Sequence, residues 1–209
     1  MFPSFSAELR LLESDFSIGM EGWTLGDFFN ATHGALPQYV SSGGDDGGGY
    51  IQGTDIYGFN SFHAPDSWLG NQSQLYGGVL HLHQLARSND ALNYPLVVLG
   101  SGATRLQFRT APPGTDWTEY VIPFRAEAGW EMGNGSGDPG PAATEADLQA
   151  VLANLQWFAL DADWQTGDDL VGLDQVYVSM PEPSAWLLSG SGLAGLVVGA
   201  TRRRRRSSL

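Results

Sequence analysis

The sequence predicts an all-β protein, a jelly-roll-like β-sandwich with one short surface helix, followed by a single C-terminal transmembrane helix. Three observations support this fold class. Short segments alternate apolar and polar residues with a period of two, residues typical of turns separate them, and only one segment has a helical period. Many short strands with one helix are typical of a sandwich and not of an α/β enzyme.

Four segments carry the strand pattern. In residues 79–85, Leu80 and Leu82 point to one side, and His81 and His83 point to the other. The same alternation occurs in residues 104–109, 118–124 and 173–178. We expect each of these strands to be buried on one face and exposed on the other.

The helix is predicted after Thr144, because Thr144 and Asp147 have the spacing of a capping box. The apolar residues that follow repeat at the spacing of one helix face: Leu148, Val151, Leu152 and Leu155. Two segments rich in glycine, residues 43–49 and 133–141, are predicted to be mobile loops.

Composition limits the function. The 209 residues include ten arginines, no lysine, no cysteine and 23 acidic residues. Five arginines lie in residues 202–206, so residues 1–180 carry five arginines against 22 acids, a net charge of −17. Nucleic-acid binding is disfavoured because it depends on basic side chains. The absence of cysteine excludes disulfides, cysteine zinc sites and a thiol nucleophile.

The composition changes near residue 180, and we divide the chain into three parts. Residues 1–19 are an N-terminal segment that can supply a first strand, residues 20–179 are the sandwich, and residues 180–209 are a tail. In the tail, an apolar run at 184–201 would span roughly 27 Å as a helix, just enough for a membrane. Its glycines and serines leave a non-spanning apolar tail as the alternative.

Five arginines follow that run, and they predict a membrane stop with residues 1–180 outside the cell: Arg202, Arg203, Arg204, Arg205 and Arg206. Residues 1–18 have no apolar run of the kind that a signal peptide contains. We therefore expect the true start to lie upstream, with an exporting segment.

The middle of the chain resembles the laminin B domain, also called laminin IV type A. The resemblance rests on Trp68-Leu69-Gly70-Asn71, on Tyr76-Gly77-Gly78 and on ordered matches as far as Gly172-Leu173-Asp174-Gln175-Val176. It spans roughly residues 20–179. It implies an extracellular β-sandwich module without catalytic residues. Trp68 and Tyr76 are large aromatics that most simply fill the core.

The tail resembles the PEP-CTERM sorting signal of bacteria that produce exopolysaccharide. The resemblance rests on Pro181, Glu182 and Pro183, followed by the apolar run and the arginines. It implies that these three residues are a recognition site for exosortase, a membrane protease-transpeptidase. The alternative is an ordinary rigid linker into a membrane anchor.

Acidic residues suggest a calcium site, because calcium prefers several hard oxygen ligands. Glu13, Asp15 and Asp174 are the leading candidates, since the first and last strands of such sandwiches tend to be neighbours. A solvated acidic surface is the alternative. His81 and His83 project from one face of a strand and could chelate a metal, but two exposed imidazoles are the favoured interpretation because no acid or third histidine is near in the sequence.

We predict a non-catalytic, exported bacterial surface or matrix module for binding or adhesion, located in the envelope or outside the cell. Its partners would be exosortase, the membrane, and an exopolysaccharide or another extracellular ligand, with calcium as the one candidate cofactor. The residues proposed to stack on a ligand are Trp68, Trp117 and Trp130. The alternative is a carbohydrate-binding or weakly hydrolytic module in which Trp23 also contributes, although the sequence lacks the common hydrolase motifs.

Overall fold

Two β-sheets packed face to face form the protein, as the sequence predicts. The computed structural model describes residues 9–29, 33–90 and 94–180. The strands in this part are β1 Leu9–Ser14, β2 Thr24–Asp27, β3 His33–Ala35, β4 Gln38–Val40, β5 Tyr50–Thr54, β6 Asn60–His63, β7 Val79–Ala86, β8 Pro95–Ser101, β9 Thr104–Arg109, β10 Thr118–Pro123, β11 Glu131–Met132, β12 Trp157–Asp161 and β13 Leu170–Met180.

The strands form a six-stranded and a seven-stranded sheet. The six-stranded sheet has the order β10-β7-β13-β5-β4, with β1 beside β13. The seven-stranded sheet has the order β11-β9-β8-β12-β6-β2-β3. Only β2 with β3, β4 with β5 and β8 with β9 are consecutive strands that pair, so most pairings in the described part join distant parts of the sequence.

One hydrophobic core lies between the sheets. Strand β7 contributes Leu80 and Leu82, which are fully buried, while His81 and His83, which alternate with them, face outward. Strand β9 likewise turns Leu106 inward and Arg105 outward. The predicted alternation is confirmed for β7. In β9 the outer residue Gln107 is buried as well, and in β13 an irregularity after Asp174 interrupts the alternation predicted for residues 173–178. Trp68 lies in this core, and Tyr76 packs against it.

The predicted helix is present as α1, Glu145–Leu152. Thr144 caps it: the Thr144 hydroxyl accepts a hydrogen bond from the backbone N–H of Asp147, and the Asp147 carboxylate accepts one from the backbone N–H of Thr144. The apolar face is buried against the core through Leu148, Val151 and Leu152. Leu155, predicted on the same helix face, lies beyond the helix, where it is buried and pairs with Gly70 through backbone hydrogen bonds. Three short 3₁₀ turns, Asp66–Trp68, Ser73–Leu75 and Ala126–Ala128, complete the helical structure of the described part.

The tail lies outside the described residues. This applies to the predicted sorting motif at 181–183, the predicted span at 184–201 and the arginines at 202–206. In residues 9–29, 33–90 and 94–180, no helix has the length and apolar character needed to cross a membrane.

Candidate ligand-binding faces

The outward-facing side of each sheet displays polar and aromatic side chains. We name the outer side of the six-stranded sheet the histidine face, after His81 and His83 on β7. We name the outer side of the seven-stranded sheet the tryptophan face, after Trp157 on β12. The two faces differ in how their polar groups are paired.

Asp174 anchors a loop on the histidine face. Its side chain is fully buried, its Oδ2 accepts a hydrogen bond from the backbone N–H of Asp45 at 2.7 Å, and its Oδ1 accepts one from Gln175 at 2.8 Å. Strand β13 is irregular here, with Gln175 at φ 49°, and the Gln175 amide donates to Asp46 at 3.0 Å. Burial raises the pKa of Asp174 to about 6, although the two backbone hydrogen bonds oppose this.

Both histidines on this face have partners of their own. His83 Nδ1 lies 2.6 Å from Asp45 Oδ2. The His81 ring stacks on Tyr177 with centroids 4.5 Å apart, and the Arg10 guanidinium lies 3.8 Å from the centroid of the same tyrosine. The two imidazoles are therefore engaged separately, and they do not form the chelating pair that their spacing allows.

The three carboxylates predicted to bind calcium do not form one site. Glu13 pairs with Arg10, and Asp15 accepts a hydrogen bond from the backbone N–H of Ser17 at 2.9 Å, which lowers the pKa of Asp15. Asp174 holds the loop described above. Strands β1 and β13 are neighbours, as expected, but their acids have different partners. Throughout the described part of the chain, no three His, Asp or Glu side chains are placed to hold a metal.

The calcium set Glu13, Asp15 and Asp174 is therefore corrected: these residues as placed do not fit a calcium ion. Arg10 and the backbone N–H groups of Ser17, Asp45 and Gln175 already bind these carboxylates. Calcium binding by the protein stays a prediction, and melting in calcium against melting in a chelator tests it.

Two of the three tryptophans proposed to stack on a ligand are core residues. Trp68 is 2% exposed and contacts Trp23 and Phe158 edge-on, each with centroids 5.4 Å apart. Trp130 is 0% exposed, and its Nε1 donates to the carbonyl of Pro123 at 2.9 Å. A buried ring offers no surface to a ligand, so the stacking prediction is wrong for Trp68 and Trp130. Trp23, named in the alternative, is buried as well.

Trp117 lies on the histidine face and is half-buried. Its Nε1 donates to the carbonyl of Gly43 at 3.1 Å, and its ring meets Tyr50 edge-on with centroids 5.3 Å apart. The ring packs over Gly172, where a Cβ would come within 2.9 Å of it. Trp117 therefore stays a candidate for ligand contact.

Sequence reasoning missed Trp157, which is half-buried on the tryptophan face. Phe158 and Leu160 on the same strand belong to the core, so the alternating residues Trp157 and Ala159 face outward. The Arg105 guanidinium lies 5.0 Å from the centroid of the Trp157 ring. Residues 157–160 are all apolar, so no hydrophobic alternation in the sequence marks Trp157 as outward-facing, and its direction follows from its position on the strand next to the buried Phe158.

Side chains that pack on each other cover the middle of the tryptophan face. Phe28 packs on Val98 and Ala159, forming a small second cluster outside the main core. Beside it, the hydroxyl of Ser61 donates to the carbonyl of Gly26 at 3.0 Å and lies 3.0 Å from His63 Nε2.

The contact between Ser61 and His63 is structural. The Ser61 hydroxyl also contacts the Gly26 carbonyl, and the direction of the hydrogen bond between Ser61 and His63 Nε2 depends on the histidine tautomer. Both side chains are buried, and burial lowers the pKa of His63 to about 4, with the neighbouring His33 adding to the effect. A substrate has no access to either group.

Three acids meet near the end of strand β12. Asp161 Oδ1 accepts a hydrogen bond from the backbone N–H of Asp163, and its buried Oδ2 has no hydrogen-bond partner. Asp169 Oδ2 accepts hydrogen bonds from the backbone N–H groups of Trp164 and Gln165. Burial raises the pKa of all three acids, and nearby carboxylates raise it further, to about 7 for Asp163. Asp163 therefore keeps a proton well above the pH at which an exposed aspartate loses it.

The chain is similar to known proteins in both sequence and fold. A model of the Laminin B (Domain IV) family matches residues 61–186, more than half of the chain. Among solved structures, the L4b domain of human laminin alpha-2 is similar with a TM-score of 0.65 at 13% identity, over 83% of this chain and 98% of that one. No curated protein sequence matches the chain.

Two further structures are associated with carbohydrates. CtCBM11, a carbohydrate-binding module, is similar with a TM-score of 0.51 at 13% identity, over 85% of this chain and 99% of that one. An exo-beta-agarase is similar with a TM-score of 0.52 at 9% identity, over 85% of this chain but only 25% of the agarase chain. At these identities the likeness establishes a shared sandwich fold.

Proposed function

The chain belongs to the Laminin B (Domain IV) family, whose domain is a non-enzymatic module, and from that premise we propose that it is a non-catalytic extracellular binding module whose ligand is a polysaccharide. The fold shared with CtCBM11 supports a saccharide as the ligand. The burial of Ser61 and His63 supports binding without catalysis.

The observation that carries the proposal is the pair of Trp157 and Arg105 on the tryptophan face. A half-buried aromatic ring next to a hydrogen-bond donor is the arrangement that polysaccharide sites use, because sugar rings pack on aromatic surfaces and their hydroxyls need polar partners. On the histidine face, Asp174 accepts a hydrogen bond from Asp45, His83 lies beside Asp45, and the His81 ring stacks on Tyr177.

The tail supplies the proposed route to the cell surface. We infer that exosortase recognises Pro181, Glu182 and Pro183, that residues 184–201 anchor the precursor in the membrane, and that processing leaves the sandwich in the envelope or outside the cell. The order of motif, apolar run and arginines supports this assignment. In an exosortase-bearing host, with a signal peptide in front of the chain, Pro181→Ala with Pro183→Ala should leave uncut precursor in the membrane. Unchanged release would contradict exosortase processing.

Retention by polysaccharides tests the binding function. The full chain should be retarded by at least one soluble polysaccharide in affinity electrophoresis, and Trp157→Ala should remove the retardation because it removes the aromatic surface. Trp117→Ala, a half-buried tryptophan on the opposite face, is the matched variant and should bind normally. Loss of binding in Trp117→Ala alone would move the site to the histidine face. The absence of retardation by any polysaccharide would refute the proposal.

A further inference from the structure

The ring of Trp157 lies flat on the tryptophan face. Gly100 on β8 is the cross-strand partner of Trp157, and a Cβ at Gly100 would be 2.3 Å from Cε2, 2.4 Å from Cδ2 and 2.6 Å from Cε3 of the ring. Nearly equal distances to three atoms of the fused ring mean that Gly100 meets the face of the indole and not its edge. Only a glycine leaves room for this packing.

Arg105 on β9 pairs with Gly100 from the other side, which brings its guanidinium over the indole, 5.0 Å from the ring centroid. Two glycines border the arginine. A Cβ at Gly135 would lie 3.2 Å from Nη1 of Arg105, and a Cβ at Gly133 would lie 3.1 Å from Cβ of Arg105. Glycine at these two positions therefore lets the loop backbone pass close to Arg105.

Arg105 has no acidic partner within the described residues, and its buried Nε has no hydrogen-bond acceptor. Arg109, four residues further along the same face of β9, is paired with Glu131 at 3.2 Å. Arg10 is paired with Glu13. Arg105 instead contacts the ring of Trp157, and in the described part of the chain it has no carboxylate partner although the domain has a large excess of acids.

We propose that Arg105 binds the carboxylate of a uronic acid residue, and that Trp157 contacts the sugar ring which carries it. This inference rests on the proposed polysaccharide-binding function and names the class of its ligand. The planar guanidinium presents two parallel N–H groups, which match the two oxygens of a carboxylate, whereas a neutral sugar offers it only hydroxyls. Trp157 is half-buried, and its exposed part provides the apolar surface that the sugar ring contacts.

The negative charge of the protein predicts how binding of an anionic polysaccharide depends on salt concentration. With a net charge of −13, the protein repels a polyanion at long range, while the contact with Arg105 is short. Raising the ionic strength from about 0.01 M to about 0.15 M shortens the screening length from about 30 Å to about 8 Å. Screening should weaken the long-range repulsion more than the contact, so binding should strengthen over this range.

Polygalacturonate and its fully methyl-esterified form are the two probes, used with the full-length chain. The unesterified polymer should bind at least tenfold more tightly than the ester. Arg105→Gln should weaken binding to polygalacturonate about 10- to 100-fold, the range expected for a charged hydrogen-bonded pair, and should leave binding to the ester unchanged. Arg105→Lys keeps the charge without the planar fork and should recover only part of the affinity. Arg87→Gln, an exposed arginine, is the matched control and should bind as the unaltered protein does.

The outcomes separate this inference from the function on which it rests. Equal binding of polygalacturonate by the unaltered protein and by Arg105→Gln would overturn the inference. Binding to neutral polysaccharides that depends on Trp157 but not on Arg105 would also overturn it, and would leave the proposed function intact. Arg105-dependent binding to poly-glutamate but not to polygalacturonate would replace the saccharide with an acidic peptide. A melting curve for each variant identifies any loss of binding that comes from unfolding.

Discussion

The two outer faces of the sandwich use similar residues in opposite ways. The histidine face contains two histidines, a buried aspartate and an arginine, and each has a partner from the protein itself. On the tryptophan face, Arg105 lies over the ring of Trp157 as Arg10 lies over that of Tyr177, but it has no acidic partner in the described part of the chain. Polar groups that satisfy each other hold a loop or a strand in place. A half-buried guanidinium without a carboxylate partner marks where an anionic ligand can bind.

The first way to test this difference is to break the anchor on the histidine face. Asp174→Ala removes the acceptor for the backbone N–H groups of Asp45, which is exposed, and of Gln175, which is half-buried. A hydrogen bond to a charged group contributes about 1.5–3 kcal/mol, and solvent access to both donors reduces this, so we expect a loss of about 2–3 kcal/mol in the free energy of unfolding for the two bonds together. For a domain of this size that corresponds to roughly 5–10 °C in Tm, measured by thermal melting.

Asp116→Ala is the matched control, because Asp116 is an exposed acid near the same sheet, and it should melt within about 0.5 kcal/mol of the unaltered protein. Binding to polysaccharide by the folded Asp174→Ala variant should stay normal. A Tm equal to that of Asp116→Ala would mean that Asp174 does not hold the loop.

The second test disturbs the tryptophan face without changing either residue that contacts the ligand. Gly100→Ala places a methyl group within 2.3 Å of the Trp157 ring, so the indole must leave its position on the sheet. Overpacking of this kind costs about 1–3 kcal/mol, and a partly exposed ring should put the cost near the lower end. Polysaccharide binding should fall together with stability, since the ring no longer lies beside Arg105.

Gly58→Ala provides the control for glycine replacement, because a Cβ there meets nothing within 4 Å. It should leave both the Tm and the polysaccharide affinity unchanged. If Gly100→Ala retained full affinity, the flat packing of the indole would not matter for binding.

Sequence alone predicted the features that depend on local order. Strand β7 has Leu80 and Leu82 inside because period-two alternation needs no information from the rest of the chain. The cap formed by Thr144 and Asp147 is local in the same sense. These elements agree with the structure almost residue by residue.

The candidate site could not be derived in this way. Asp174 meets Asp45 across 129 residues of sequence, and no local pattern indicates that pairing. Trp68 and Trp157 are the same residue type, but Trp68 lies on a 3₁₀ turn, where alternation gives no direction, and Trp157 lies on a strand, where it does. In the described residues, Arg105 lies near Trp157 and away from any carboxylate because strands β9, β8 and β12 lie side by side.

The third prediction concerns pH and the acids at the end of strand β12. Burial and the charge of Asp169 raise the pKa of Asp163 to about 7, and Asp55, Asp90, Asp161 and Tyr94 also lie in this region. Because the folded-state pKa lies above the unfolded value, the folded state binds more protons between pH 4 and pH 7. The stabilisation from Asp163 is therefore complete below about pH 4 and is lost as the pH rises through about 7.

His63 acts in the opposite sense, because its pKa is lowered to about 4 and its contribution is lost as the pH falls below about 6.5. The pH-dependent contributions of His63 and Asp174 are present in both the unaltered protein and Asp163→Asn, so they drop out of the difference in stability between the two. Relative to the variant, the unaltered protein should lose free energy of unfolding from pH 4 to pH 8. One proton gives at most about 1.4 kcal/mol per pH unit, and the partial exposure of Asp163 should reduce that slope. Asp168→Asn, an exposed neighbour, should follow the unaltered curve. Parallel melting curves for the unaltered protein and Asp163→Asn would mean that Asp163 ionises as an exposed aspartate does, and that this end of the tryptophan face is open to water.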